Sequence, residues 1–183
     1  MKLCNLEALK LETAFLKLVL MKTNQRMEAL YQQVRQGNLD DPKALSQKLQ
    51  NLLTSPLVEE DGCVFVEQLR ARVPTVKLPD FQDRTAYECY VNHIHVEDYS
   101  ENGGFLPLPM LGHGMAVAHE LRDRLAKDRP GKHFHVIVSF DGEHCDVRFH
   151  TVRLDETFIG PDLEEYPQEA VAVLDTTPMR DQI

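Results

Sequence analysis

The spacing of apolar residues divides the chain into a helical first third and a mixed remainder. From about Leu3 to Thr23 the apolar positions cover more than one face of a predicted helix. A second helix follows, with apolar residues at helical spacing over 27–34. A third begins at Asp41, a good N-cap, and ends near Ser55. The pattern therefore predicts a helical module over residues 1–55.

Residues 56–85 are less regular, and we interpret them as a linker or a short mixed segment. The apolar positions fit either a short strand at 63–66 or a helix at 64–72. Pro74 and Pro79 bound an extended stretch beyond them. A domain boundary is expected in this region.

The pattern over residues 86–183 predicts an α+β domain. Apolar and polar residues alternate from residue 86 to about 98, which predicts a strand. A helix is predicted over 110–128, then a β-hairpin, then a short apolar strand at 170–174. The expected architecture is one helix packed on an antiparallel sheet of about four strands, so the whole chain is predicted to be α+β.

The hairpin is predicted from Asp141-Gly142, a strong turn signal between two alternating runs. A two-residue turn there pairs Phe140 with Glu143. Continuing that register, the pairs on the core face are Val138 with Cys145, Val136 with Val147 and Phe134 with Phe149. The pairs on the opposite face are Ile137 with Asp146, His135 with Arg148 and His133 with His150.

The net charge of −9 is concentrated in the second half of the chain. Residues 86–183 contain eight Lys or Arg and eighteen Asp or Glu. Such a surface repels nucleic-acid phosphates and attracts a basic protein, although acidity also serves solubility alone. We therefore expect a basic protein partner and no nucleic-acid partner.

The densest acidic stretch is the candidate partner-binding surface. From Leu154 to Met179 there are seven acidic residues and no Lys or Arg, with aromatic residues between them. Acids around aromatic anchors suit an interface, and the alternative is a solvated loop whose aromatics fold back onto the core. Together with two residues of the hairpin, the predicted partner-binding set is Asp155, Glu156, Phe158, Asp162, Glu164, Glu165, Tyr166, His135 and Arg148.

All eight histidines lie between residues 93 and 150. Three neutral imidazoles with an open position can form a zinc or other transition-metal site, and Glu97 or Asp146 would be a further ligand or a support. The histidines also fit a solvent-facing sheet surface, and no metal motif of fixed spacing is present. We therefore expect no metal; a site, if one forms, would use His93, His95, His133, His135 and His150.

Cys4, Cys63, Cys89 and Cys145 are far apart in the sequence and form no C-x-x-C pair. We expect buried free thiols, a reducing compartment and no cofactor.

The apolar run at 14–21 is too short to span a bilayer, for which roughly 18 residues are needed. Glu7 and Glu12 precede it, and no small-residue cleavage site follows. This favours a core helix in a cytoplasmic protein with no membrane partner.

No motif assigns a function, so the hypotheses rest on general properties. The first is a non-catalytic acidic binding protein, such as an immunity-type inhibitor that occludes a basic partner, for example a toxic nuclease. The second is a metal-dependent hydrolase that uses the histidines between residues 93 and 150. The third is a structural or assembly protein, with a homodimer formed through helices in residues 3–34.

Overall fold

The computed structural model describes residues 21–100 and 106–176. Within them the chain forms five α-helices and two antiparallel sheets. The helices are α1 (Gln25–Gln36), α2 (Gln47–Thr54), α3 (Glu67–Arg72), α4 (Arg84–Val91) and α5 (Pro107–Asp128). The strands are β1 (Met21–Thr23), β2 (Leu57–Glu60), β3 (Cys63–Val66), β4 (Ile94–His95), β5 (Phe134–Phe140), β6 (Cys145–Thr151) and β7 (Ala170–Asp175). The mixed α+β character is confirmed.

The large sheet has five strands in the order β1-β7-β5-β6-β4, rather than the four that the sequence pattern predicts. Its inner face packs on α5, and apolar side chains of α1 and α2 belong to the same core. The packing is tight at Gly114 of α5, where a Cβ atom would clash with the sulfur of Cys145. The strands β2 and β3 form the small sheet. Whether residues 1–55 and 86–183 are separate domains stays a prediction.

The hairpin of β5 and β6 keeps its predicted faces but has a different register. The turn is a four-residue loop, so Phe140 pairs with Cys145 and Val136 with Phe149. The predicted pairs are therefore wrong by two residues. A register shift of two residues leaves each side chain on the same face of the sheet, because side chains alternate between the two faces along a strand. The predicted core-facing residues of the hairpin are all buried.

The predicted strand over residues 86–98 is wrong for most of its length. Residues 84–91 form helix α4, and only Ile94–His95 form a strand. Asp83 caps the helix by accepting a hydrogen bond from the amide of Ala86 at 2.7 Å. The helix buries residues on more than one side, and this produces an apparent alternation in the sequence.

Two further expectations are corrected near the N-terminus. Residues Met21–Thr23 pair with β7 as strand β1, so the predicted first helix does not extend to Thr23. Its remainder, residues 3–20, lies outside the described residues, and the homodimer stays a prediction. Asp41 caps a 3₁₀ turn, and Ser46 caps the third predicted helix, α2. The segment at 63–72 is both a strand and a helix in succession.

Two buried polar side chains, of Glu88 in α4 and of Asn92 directly after it, join the small sheet to β6. The carboxylate of Glu88 accepts hydrogen bonds from the amides of Val64 and Thr151, at 2.6 and 2.7 Å. The side chain of Asn92 accepts from the amide of Val66 and donates to the carbonyl of Val64. These contacts satisfy strand backbone groups that no neighbouring strand reaches, and they fix the chain just before His93.

None of the helices in residues 21–100 and 106–176 combines the length and the apolar character that a bilayer crossing requires.

Candidate functional site

The outer face of the large sheet, opposite α5, contains the candidate functional residues. Two areas are distinguished there. The first is the His–Asp cluster, formed by His93, His95 and Asp146. The second is the acidic segment, residues 155–169, part of which packs on β5 and β7.

The backbone brings the His–Asp cluster together from two parts of the chain. His95 lies in β4, directly opposite Asp146 of β6. His93 follows Asn92, the residue that ends α4. The side chain of Asn92 also donates to the carbonyl of Phe149 in β6, which holds the end of the helix against the strand. His95 and Asp146 are therefore positioned by paired strands, and His93 by the short connection that Asn92 fixes between α4 and β4.

Both imidazoles of the cluster approach the same carboxylate oxygen. His93 Nε2 and His95 Nδ1 each lie 2.8 Å from Asp146 Oδ1, and the two ring centroids are 3.9 Å apart. Nitrogen and oxygen donors of the three side chains all lie within 4.8 Å of one another. Within residues 21–100 and 106–176, no other group of three or more His, Cys, Asp or Glu side chains meets this criterion.

Two charged neighbours complete the surroundings of the cluster. The guanidinium of Arg148 lies 3.3 Å from Asp146 Oδ2, the oxygen that the imidazoles do not share. Glu97 Oε1 lies 4.0 Å from His95 Nδ1. Burial raises the pKa of Asp146, but the hydrogen bond from His93 and the nearby positive charges outweigh it, so the pKa lies below its ordinary value. The carboxylate is therefore ionised at neutral pH.

The five histidines that the sequence offers for a metal site, if one forms, do not all meet. His93 and His95 meet, whereas His135 and His150 form a separate edge-to-face pair with ring centroids 5.4 Å apart. His135 also lies 3.6 Å from Asp175 of β7. The donor atoms of His133, His135 and His150 do not join the His–Asp cluster. Asp146 replaces them as the third donor.

The acidic segment is fixed on the outer face by its apolar residues. Leu163, Ile159 and Tyr166 pack against residues of β5 and β7. The hydroxyl of Tyr166 accepts a hydrogen bond from the amide of Gly160 at 3.0 Å. Tyr166 is thus largely occupied within the chain, which weakens its predicted role as an interface anchor.

Asn24, which is 1% exposed, ties this segment to the start of α1. Its amide nitrogen donates to the carbonyl oxygens of Leu163, Tyr166 and Glu169, at 3.4, 3.3 and 2.7 Å. Its side-chain oxygen accepts from the amides of Met27 and Val171. The sequence signal for this residue is only that of a helix N-cap, so its role in holding the acidic segment was missed.

The acids of the segment divide into two groups. Glu156, Asp162 and Glu164 accept hydrogen bonds from backbone amides, including that of Thr85 for Glu156 and that of Gln25 for Glu164. The others are exposed and have no side-chain hydrogen bond or ion pair within the described residues: Asp155, Glu165 and Glu169. This second group is exposed to solvent.

Two large apolar side chains are exposed in or beside the segment. Leu154 is fully exposed at the tip of a tight turn closed by a backbone bridge between Arg153 and Glu156. Phe158 is 43% exposed, and the guanidinium of Arg148 lies 5.8 Å from the centre of its ring. Arg148 therefore connects the acidic segment with the His–Asp cluster.

The thiols offer no nucleophile among the described residues. Cys63, Cys89 and Cys145 are free and buried, as predicted, and Cys4 lies outside those residues. Burial raises the pKa of the Cys63 thiol to about 11 and also raises the pKa of Cys89 and Cys145.

Over residues 21–100 and 106–176, the fold and the outer face define a mixed α+β protein with a His–Asp cluster beside an acidic segment. The chain belongs to the Uncharacterized protein PM0498 family, whose model matches residues 22–183. Searches of curated proteins and of solved structures find no match.

Proposed function

We propose that this protein binds a basic protein partner through the acidic segment and acts as an immunity-type inhibitor that occludes it. The observation that supports the proposal is a fixed segment with exposed acids and exposed apolar side chains. We name as the acidic surface the residues Leu154, Asp155, Phe158, Glu165 and Glu169.

The fixed conformation of the segment favours binding. Asn24 holds three of its carbonyl groups, and Leu163 and Tyr166 anchor it on the sheet. A loop that is already ordered loses less conformational entropy when a partner binds. The acids are therefore displayed without a cost for ordering the segment.

Charge supports a basic occupant. No Lys or Arg occurs between residues 154 and 179, and the neighbouring Arg153 pairs with Glu156, which is not part of the acidic surface. Complementary charge speeds the encounter, and apolar anchors such as Phe158 and Leu154 slow the separation. A nuclease is one such partner, since its active site must attract phosphate groups and is therefore positively charged.

A comparison of three immobilised baits tests this proposal. The first is the wild-type chain, and the second carries Asp155→Lys, Glu165→Lys and Glu169→Lys. The third carries the same change in charge on exposed acids outside the segment, namely Glu67→Lys, Asp98→Lys and Glu120→Lys. Extract of the source cell is passed over each bait, and the retained proteins are identified by mass spectrometry.

We expect a basic protein to be retained by the wild-type and control baits and lost from the segment bait. Circular dichroism first establishes that all three chains are folded. If the segment bait retains the same proteins as the wild type, the acidic surface is only a solubilising surface and the proposal fails.

A further inference from the structure

The geometry points to a site for one divalent transition-metal ion of the zinc class, bound by His93 Nε2, His95 Nδ1 and Asp146 Oδ1. This site uses none of the residues of the acidic surface and does not depend on the proposed function. It also reverses the expectation from sequence that the histidines hold no metal.

The first argument is the convergence of the donor atoms. Zinc binds imidazole nitrogen at about 2.0–2.1 Å and carboxylate oxygen at about 2.0–2.2 Å, so donors of one ion lie on the order of 3.3 Å apart. The three donors lie within 4.8 Å of one another, and both nitrogens lie 2.8 Å from the oxygen. Both nitrogens face the Asp146 oxygen, so an ion requires these N···O separations to widen from 2.8 Å to on the order of 3.3 Å, a change of the size that side-chain rotation supplies.

The second argument is charge. Without an ion, each imidazole must present an N–H to the same Asp146 oxygen, and the rings stand only 3.9 Å apart at their centroids. Arg148 also pairs with Asp146, so three donor side chains converge on one carboxylate. A divalent ion instead uses the lone pairs of both neutral rings and the carboxylate together.

The third argument is the support around the donors. Arg148 holds Asp146 Oδ2 and leaves Oδ1 oriented toward the imidazoles. The amide of Cys145 donates to Glu97 Oε2 at 3.4 Å, which places Glu97 beside His95 as an additional nearby oxygen donor. Such neighbouring groups orient metal ligands and tune the affinity of a site.

The donor set identifies the class of ion. Two imidazoles and one carboxylate suit Zn²⁺ and neighbouring transition metals, whereas Mg²⁺ and Ca²⁺ prefer oxygen donors alone. The His95 side chain is 48% exposed and that of His93 is 22% exposed. The site is therefore open on one side, and water can complete the coordination.

Isothermal titration calorimetry of the chelator-treated, tag-free chain with ZnCl₂ tests the inference. We expect one equivalent to bind with a Kd of about 10 µM or tighter. His95→Ala and Asp146→Asn should each weaken the binding by about tenfold or more, at least the loss typical of disturbing a ligand's support. A thermal melting curve first establishes that each variant is folded. Because His95 is half-exposed, His95→Ala is the substitution that we expect to affect folding least.

His144→Ala is the matched control. His144 is exposed and lies 3.3 Å from Asp141 Oδ2, so it is also a His–Asp pair, but without a second imidazole. Its removal should leave the zinc affinity unchanged within about twofold, and CoCl₂ should give a visible absorption band that His95→Ala abolishes. The inference is overturned by the absence of one-to-one binding, or by equal affinities of the wild type, His95→Ala and Asp146→Asn.

Discussion

Glu88 and Arg153 form an ion pair of 2.8 Å in which the Glu88 side chain is fully buried. The same carboxylate accepts hydrogen bonds from the amides of Val64 and Thr151, so it links the small sheet, helix α4 and strand β6. Four hydrogen bonds, including one from the hydroxyl of Thr151, saturate its two oxygens.

Glu88→Ala should lower the free energy of unfolding by about 3–5 kcal/mol, because it removes the buried carboxylate that pairs with Arg153 and leaves the amides of Val64 and Thr151 without their acceptor. Urea denaturation followed by circular dichroism measures the change. Glu67→Ala, at an exposed acid of α3, is the control and should stay within about 0.5 kcal/mol of the wild type. A loss below about 1 kcal/mol for Glu88→Ala would show that the contacts of the Glu88 carboxylate contribute little to stability.

The face assignment of the hairpin is tested by Val136→Asp. Val136 is fully buried on the inner face of β5, so the substitution places an unpaired charge in the core. The free energy of unfolding should fall by more than about 4 kcal/mol, and the chain will not fold if its stability is no larger than that. Val152→Asp makes the same change at a valine that is 39% exposed and should cost less than about 1 kcal/mol. Equal losses at both positions would contradict the assignment.

Asn24→Asp tests whether the hydrogen bonds from the Asn24 side chain keep the acidic segment in place. The carboxylate still caps α1 at the amide of Met27, but it loses the N–H groups that bind the carbonyls of Leu163, Tyr166 and Glu169. We expect a loss of about 1–3 kcal/mol in the free energy of unfolding. Hydrogen exchange should speed up in residues 159–171 and remain unchanged in β5. Unchanged exchange in the segment would mean that Asn24 does not order it.

The buried imidazole of His150 makes stability depend on pH. Burial lowers its pKa below the ordinary 6.5, and the nearby His135 and Arg153 act in the same direction. The hydrogen bond with the carbonyl of Thr151 and the charge of Glu88 oppose the shift but do not cancel it.

Near and below pH 6.5, His150 therefore binds more protons in the unfolded chain than in the folded chain. Because of this difference, the free energy of unfolding should fall as the pH is lowered from about 7.5 to about 5. In His150→Gln this fall should be smaller. The His144→Gln control should not reduce it, because the hydrogen bond with Asp141 raises the pKa of His144 and so has the opposite sign. Parallel pH profiles for the wild type and His150→Gln would contradict the assignment.

The sequence predicts local features well and long-range contacts poorly. The inner face of the hairpin was predictable, since alternation survives a register error of two residues. Helix α4 was missed, because Tyr87 and Val91 fit both an alternating strand and two adjacent helical turns. The proximity of His93 and His95 follows from their spacing. Their proximity to Asp146 depends on the pairing of β4 with β6, and no local sequence pattern predicts that pairing. The same holds for Asn24, whose partners are up to 147 residues away.

The most direct measurement of the central claim is the association rate with the basic partner that the wild-type bait retains. At low salt the variant with Asp155→Lys, Glu165→Lys and Glu169→Lys should associate about tenfold more slowly than the wild type, and the difference should shrink toward about twofold at 0.5 M salt, because exposed charges are screened. The control with Glu67→Lys, Asp98→Lys and Glu120→Lys should associate at close to the wild-type rate. Equal low-salt association rates for the segment variant and the control would contradict the account.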